Sequence, residues 1–290
     1  MAAIRRRHAA AHITLLTSQS LASLAHRSGW FDKVEIDSRP RWFHPGGWVG
    51  LRRRLRAGRF DRVYDLQSQD RTALYFRLFW PGRRPEWSGT ARGASHRHTD
   101  PNRRHMHALD IHAAQLRLAG IVEIPPPDLS WLDTEGSGAE GPGAFDLPAR
   151  FALLVPGAAP HRPAKRWPAE RYAELAVRLA AKDITPVVIG ADSERDLAAA
   201  ITAQCPEARD LTGKTSLLDL GGLARRAELA IGNDTGPMHL VAMTGCRSVV
   251  LFSADSKPER SAPRGDKVAI LQRPDLKNLT TDEVIAAAGL

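Results

Sequence analysis

The chain has 290 residues and a mass of 31.8 kDa, with 43% apolar residues, 25% charged residues and a mean hydropathy of -0.31. This is an ordinary globular composition with enough chain for a sizeable core, which excludes a wholly disordered protein and a disulfide-stapled miniprotein. The net charge of +9 is unevenly spread: up to Phe145, 22 basic residues stand against 14 acidic ones, whereas the remainder carries 19 against 18.

A basic half beside a nearly neutral half points to two modules, one of which meets something anionic. Nucleic acid, a phosphorylated glycolipid and an acidic membrane surface all fit, and a GC-rich coding sequence is the plain alternative. Cys205 and Cys246 show no C-x-x-C spacing, so they imply neither a zinc ribbon nor a disulfide framework, and a reducing cytoplasm is expected. No apolar run approaches the roughly 18 residues that a membrane-spanning helix requires. Residues 1–12 are basic without the apolar centre of a secretory signal.

In chain order, 12–17 reads as a strand and 20–26 as a helix. Strands are expected at 34–36 and 62–66, and helices at 49–56, 71–79 and 105–119. Residues 81–104 are basic, rich in Gly and His and without periodicity, so a long loop is expected there. The Pro-, Gly- and Glu-rich stretch 125–148 reads as a linker. The second half alternates cleanly: strands at 151–155, 186–189, 229–231 and 247–252, helices at 169–181, 193–204, 216–226, 237–244 and 281–288. Such alternation indicates βαβ units and a parallel sheet.

Three motifs carry chemistry. Pro156-Gly157 followed by Lys165-Arg166-Trp167-Pro168 places a strand end, a glycine turn, a lysine and a helix start together, which favours an anion; a surface lysine before a Pro-capped helix fits the same spacing. Gly232-Asn-Asp-Thr-Gly-Pro-Met-His239 follows an apolar strand and opens a helix. Its glycines permit close backbone approach and Thr235 offers a hydroxyl, which suits a diphosphate; an ordinary N-cap is the alternative. Asp234 would repel phosphate, so a sugar hydroxyl is its expected partner. In Gly190-Ala-Asp-Ser-Glu-Arg195, Asp192 and Glu194 each stand where a ribose-binding acid belongs in a nucleotide domain.

Together with Leu211-Thr-Gly-Lys-Thr-Ser-Leu217, His12-Ile-Thr-Leu-Leu-Thr-Ser18 and Tyr64-Asp-Leu-Gln67, this ordered set resembles glycosyltransferase family 9, the ADP-heptose:lipopolysaccharide heptosyltransferases. The resemblance covers nearly the whole chain. It implies an α/β fold of GT-B type, with two Rossmann-like domains facing a cleft: an acceptor-side domain over 1–124, a linker over 125–149 and a nucleotide-sugar domain over 150–290. The implied activity is metal-independent and inverting, moving heptose from ADP-heptose to an anionic lipopolysaccharide or lipid A core acceptor, with no cofactor. The implied setting is the cytoplasm, with transient contact at the inner-membrane surface.

Residue by residue, the resemblance gives Lys165 the donor phosphates, Asp192 the ribose (Glu194 the alternative), Asp234 the sugar, and Thr235 and Gly236 the diphosphate turn. His239 is the histidine of that motif. Arg92, Arg97, Arg103 and Arg104 are the expected acceptor contacts. Family members begin with a strand and a Gly-rich loop holding the catalytic aspartate. Here Met1-Ala-Ala-Ile-Arg-Arg-Arg-His8 resembles the end of the helix after that loop, so strand, loop and aspartate have no counterpart in these residues. The N-terminal domain is therefore expected to lack its first strand, and the catalytic base is unassigned, with Asp65, His96 and Asp100 as guesses. A start placed too far downstream is favoured over a diverged, inactive relative that binds nucleotide-sugar without turnover.

A nucleic-acid-binding protein is the distant alternative: the pI of about 10.1 invites it, but no helix-turn-helix, zinc-finger or RNP signature appears. His96, His98, His105, His107 and His112 lack acidic or thiolate partners and lie among arginines, so no metal site is expected. Trp30, Trp42, Trp48, Trp80 and Trp87 are expected to pack, with Trp87 the one placed to serve as a sugar platform.

Overall fold

The computed structural model describes residues 1–132 and 145–290. The chain divides into two compact units, Met1–Pro126 and Pro127–Leu290. Much of the linker expected over 125–149 lies outside the described residues.

The first unit runs α1 (Ala2–Arg7), β1 (Thr14–Thr17), α2 (Ala22–Arg27), β2 (Lys33–Ile36), α3 (Pro45–Ala57), β3 (Arg62–Tyr64), α4 (Asp70–Arg77), β4 (Glu86–Gly89), β5 (His96–Arg97) and α5 (Ala108–Leu118). Its strands pair in parallel but make two sheets, β1–β2 and β3–β4–β5, and β1 does not pair with β3 among the described residues. Both strands nevertheless feed the same two clusters. Leu16 and Val63 pack with Leu51, Phe76 and Trp87, while Ile13 and Tyr64 pack with Ile4 and Leu116. β1 and β3 stay largely half-buried.

The stretch expected to be a loop over 81–104 in fact contains β4 and β5. These strands, of four and two residues, are too short to display alternation. Tertiary contacts hold them. Trp87 packs its ring 5.3 Å from that of Phe76, and Gln115 Nε2 of α5 donates to the carbonyls of Asp65 and Ser88 at 2.8 and 3.1 Å. Trp87 is thereby buried, which removes it as a sugar platform.

The second unit runs β6 (Phe151–Val155), α6 (Ala169–Ala180), β7 (Thr185–Val188), α7 (Arg195–Gln204), β8 (Arg209–Asp210), α8 (Leu217–Arg226), β9 (Leu229–Asn233), α9 (Gly236–Met243), β10 (Ser248–Phe252), α10 (Pro258–Ser261), β11 (Val268–Gln272) and α11 (Thr281–Ala288). Its six strands form one parallel sheet in the order β11-β10-β9-β6-β7-β8. Counted from β6, that is the 3-2-1-4-5-6 order of a dinucleotide-binding fold.

β6, β9 and β10 are buried at every position, as their apolar runs require when helices cover both faces. α6 buries Tyr172, Leu175, Ala176 and Leu179, the i, i+3, i+4, i+7 stripe of an amphipathic helix. Each such large apolar side chain contributes about 1.5–3 kcal/mol on burial. β8 and β11 escape a reading by pattern: one is two residues long, and the other is a partly exposed edge strand.

Candidate active site

The sheet order of the second unit reverses between β6 and β9, where parallel α/β sheets open a crevice at the strand carboxyl ends. Asn233 closes β9 there and is fully buried. Its Oδ1 accepts from the Trp167 amide at 3.1 Å and the Tyr172 hydroxyl at 3.2 Å. Its Nδ2 donates to the carbonyls of Pro156 and Gly157 at 2.7 and 3.2 Å. One amide thus uses its full hydrogen-bonding capacity to tie two of the sequence motifs into one rim.

Three neighbouring strand ends then supply a charged cluster. Lys165 Nζ, from the β6–α6 connection, donates to Asp234 Oδ2 at 2.6 Å. Ser256 Oγ, from the turn after β10, donates to the same oxygen at 2.7 Å. His239 Nε2 on α9 lies 3.8 Å from Asp234 Oδ1. Burial by itself would raise the Asp234 carboxyl, but His239, Lys165 and Ser256 outweigh it and hold it at about 2. Asp234 is therefore an anion paired with a lysine, which offsets its charge.

Next to this pair, α9 begins without a side-chain cap. The Thr235 hydroxyl donates to the Asn233 carbonyl at 3.2 Å, so it leaves the first helical amides open. Gly236 is exposed, and a β-carbon there would meet nothing within 4 Å. An uncapped helix start beside a lysine is an anion-binding arrangement.

The two acids that compete for a ribose occupy different places. Asp192 is exposed and held by Arg195 Nη2 at 2.6 Å. Glu194 accepts from the Ala191 amide at 2.8 Å, and its carboxylate lies where a β-carbon on Gly157 or Gly190 would go. The structure therefore brings Lys165, Asp234, Thr235, Gly236 and His239 together, sets Glu194 over the glycine turn at the end of β6, and leaves Asp192 engaged with Arg195.

Asn233 and Ser256 were missed as site residues. The signal for Ser256 lay in topology, because a polar turn after β10 adjoins the turn after β9 once those strands pair.

In the first unit, Arg92 and Arg104 are exposed, and Arg97 Nε donates to the Thr90 carbonyl at 3.3 Å. Arg103 Nη2 lies 3.5 Å from the Ser68 carbonyl. Asp65, just past β3, is buried with Oδ2 unpartnered, and burial raises its carboxyl while the Ser68 amide accepted by Oδ1 opposes this. His98, just past β5, is buried with both ring nitrogens unpartnered; burial and the nearby Arg103 charge lower its pKa. His96, half-buried on β5, lies 3.7 Å from Glu86, and Asp100 caps a short turn. Among the described residues, no three His, Cys, Asp or Glu side chains group to hold a metal ion.

Residues 48–284 match the model of glycosyltransferase family 9 (heptosyltransferase). The chain belongs to glycosyltransferase family 9. Within this family it is 28% identical over 252 residues to lipopolysaccharide heptosyltransferase 2 of Escherichia coli K12, covering 77% of this chain and 69% of that one. The solved structure of E. coli ADP-heptose lps heptosyltransferase II superposes with a TM-score of 0.76 at 22% identity, over 99% of this chain and 91% of that one. E. coli heptosyltransferase WaaC with ADP gives 0.76 at 19% identity, over 98% and 92%. Those two likenesses show the GT-B type of fold. Family membership makes the chain a glycosyltransferase, and the ordered motifs lie inside the matched region, apart from His12–Ser18.

Proposed function

We propose that this family 9 glycosyltransferase moves heptose from ADP-heptose to a lipopolysaccharide core acceptor with inversion at the anomeric carbon, on the cytoplasmic side of the inner membrane. The observation that carries the donor half is the Lys165–Asp234 pair beside the uncapped start of α9. The donor diphosphate lies against Gly236 and Thr235, where the helix amides and the remaining Lys165 N–H groups meet its oxygens. Asp234 holds Lys165 in place, and Glu194, over Gly157, accepts from the ribose hydroxyls in preference to Asp192. That E. coli WaaC has been solved with ADP supports adenine as the base.

In the transfer, the acceptor oxygen bonds to the anomeric carbon as the bond from that carbon to the diphosphate oxygen breaks. The acceptor proton is released and ADP departs with the bond's electron pair. Lys165 and the α9 start stabilise the charge that accumulates on the leaving diphosphate. On the acceptor side, Arg103 with Asp65 and His98 forms a polar group suited to an anionic, hydroxyl-bearing sugar, while Arg92, Arg97 and Arg104 add positive field at longer range.

The test is calorimetric titration with ADP and ADP-heptose, with a coupled ADP-release assay on heptose-deficient lipopolysaccharide. Saturable binding that weakens about ten-fold or more in Lys165→Ala, with ADP released only when acceptor is present, is expected. Binding without release would leave a nucleotide-sugar-binding relative, and no binding would overturn the donor site.

A further inference from the structure

The first unit carries an exposed aromatic and basic surface that its core does not use. Trp42, Phe43, Val49 and Trp80 are 65%, 78%, 67% and 63% exposed, although the tryptophans were expected to pack. Trp42 and Phe43 immediately precede α3, and Val49 lies on it. Leu51 and Leu55 face the core, so Val49, Arg53 and Arg56, at i, i+4 and i+7, share the opposite face. Arg52, one turn from Val49, donates to the carbonyls of Leu78 and Trp80 at 3.1 and 3.2 Å, which ties the Trp80 backbone to α3.

The aromatic part is braced by neighbouring side chains. The Trp42 ring lies 5.5 Å from that of Trp48, whose Nε1 donates to the Arg41 carbonyl at 3.1 Å. The Arg71 guanidinium sits over both rings at 5.5 and 6.0 Å. His44 caps α3 by accepting from the Gly47 amide at 3.0 Å. Basic charge dominates around it: residues 38–60 contain seven arginines and no acidic residue, with Asp37 and Asp61 at the borders of the stretch. Arg53, Arg56 and Arg59 are exposed and make no ion pair among the described residues.

We propose that Trp42, Phe43, Val49 and Trp80, ringed by Arg53, Arg56 and Arg59, form a docking surface for an anionic phospholipid bilayer. Indole and phenyl rings settle at the boundary between headgroups and acyl chains, and arginines with apolar stems bind anionic headgroups from the same face. A protein partner of ordinary composition would instead call for acidic residues on this rim to match its own basic ones. The inference deepens the reading of a lipid-linked acceptor, and it names the face that meets the bilayer.

The test is cosedimentation of the full chain with vesicles of phosphatidylcholine alone or with phosphatidylglycerol, neither of which carries any saccharide. A failure here is thus separate from a failure of heptosyl transfer. Binding to the anionic vesicles is expected, weakening as salt is raised from 0.1 M to 1 M because the Debye length falls from about 10 Å to about 3 Å. The Trp42→Ser/Phe43→Ser/Val49→Ser variant, with ADP binding and circular dichroism as controls, is expected to lose about ten-fold or more in partitioning. Arg53→Ser/Arg56→Ser is expected to bind more weakly and with a smaller response to salt.

Equal partitioning of the aromatic variant, or no binding to either vesicle, would overturn the proposal. So would concentration-dependent dimerisation abolished by the same three substitutions, or an oligonucleotide that binds more tightly than the vesicles through those residues.

Discussion

Lys165 Nζ and Asp234 Oδ2 lie 2.6 Å apart although 69 residues separate them. Their side chains are only 13% and 8% exposed, so this is a desolvated ion pair at the mouth of the expected diphosphate site. Such a pair adds little net stability when intact, but removing one partner strands a buried charge. Lys165→Ala is expected to cost about 3 kcal/mol in a urea titration and to weaken ADP binding as well. Asp234→Asn, which keeps the shape, is expected to cost less stability; restoration of ADP affinity by Lys165→Arg would argue that charge alone is required.

Asp234 also sets a pH dependence. Its folded value is about 2 against an ordinary 3.8, so the deprotonated form is favoured in the fold. The resulting stabilisation, about 2 kcal/mol, is fully present above pH 4 and is lost as pH falls from about 4 to 2. Glu283, held at about 2 first by the Thr280 amide and also by Arg273, titrates in the same acid window. Thermal melts across pH 2 to 6 should show the decline, and Asp234→Asn should flatten it in part.

Asn233 offers a test of the rim itself. Asn233→Ala removes four hydrogen bonds and leaves the Pro156 carbonyl and the Trp167 amide without a partner. An expected loss of about 3 kcal/mol or more follows from the stranded groups. Asn233→Asp should be no better, because a second oxygen would face the carbonyls of Pro156 and Gly157. Differential scanning calorimetry with and without ADP measures both effects.

Two glycines should respond differently. Gly236→Ala meets open space, so stability should change by less than about 0.5 kcal/mol while ADP affinity falls. Unchanged affinity would remove the diphosphate from the start of α9. Gly157→Ala drives its new methyl into the Glu194 carboxylate, which should move that acid off the turn and weaken binding of the nucleoside more than of inorganic diphosphate.

Cys205 and Cys246 are both buried, and burial pushes the Cys246 thiol up to about 12. Neither should react with a thiol reagent at pH 8 in the folded protein, and two equivalents should appear on unfolding. Rapid native labelling of Cys246 would contradict its placement before β10.

The sequence by itself determined the second unit closely. Its long, uniformly apolar strands and its amphipathic helices declare their periods locally, and the boundaries of β6 and α11 agree with the expected 151–155 and 281–288. The residues at the proposed donor site were also legible, because a lysine and a Thr-Gly pair beside strand ends carry their chemistry in their type. Which groups touch was decided only by the tertiary structure. The order of β6, β9 and β10 sets three distant connections side by side, giving Lys165 and Ser256 to one oxygen of Asp234, and the pairing of β7 with β6 sets Glu194 at the glycine turn. In the first unit, β4 and β5 are too short to have a period, and their existence depends on the packing of Trp87 and the amide of Gln115. The exposure of Trp42 and Trp80 likewise could not be read from an aromatic residue's type, since tertiary packing alone decides which rings the core covers.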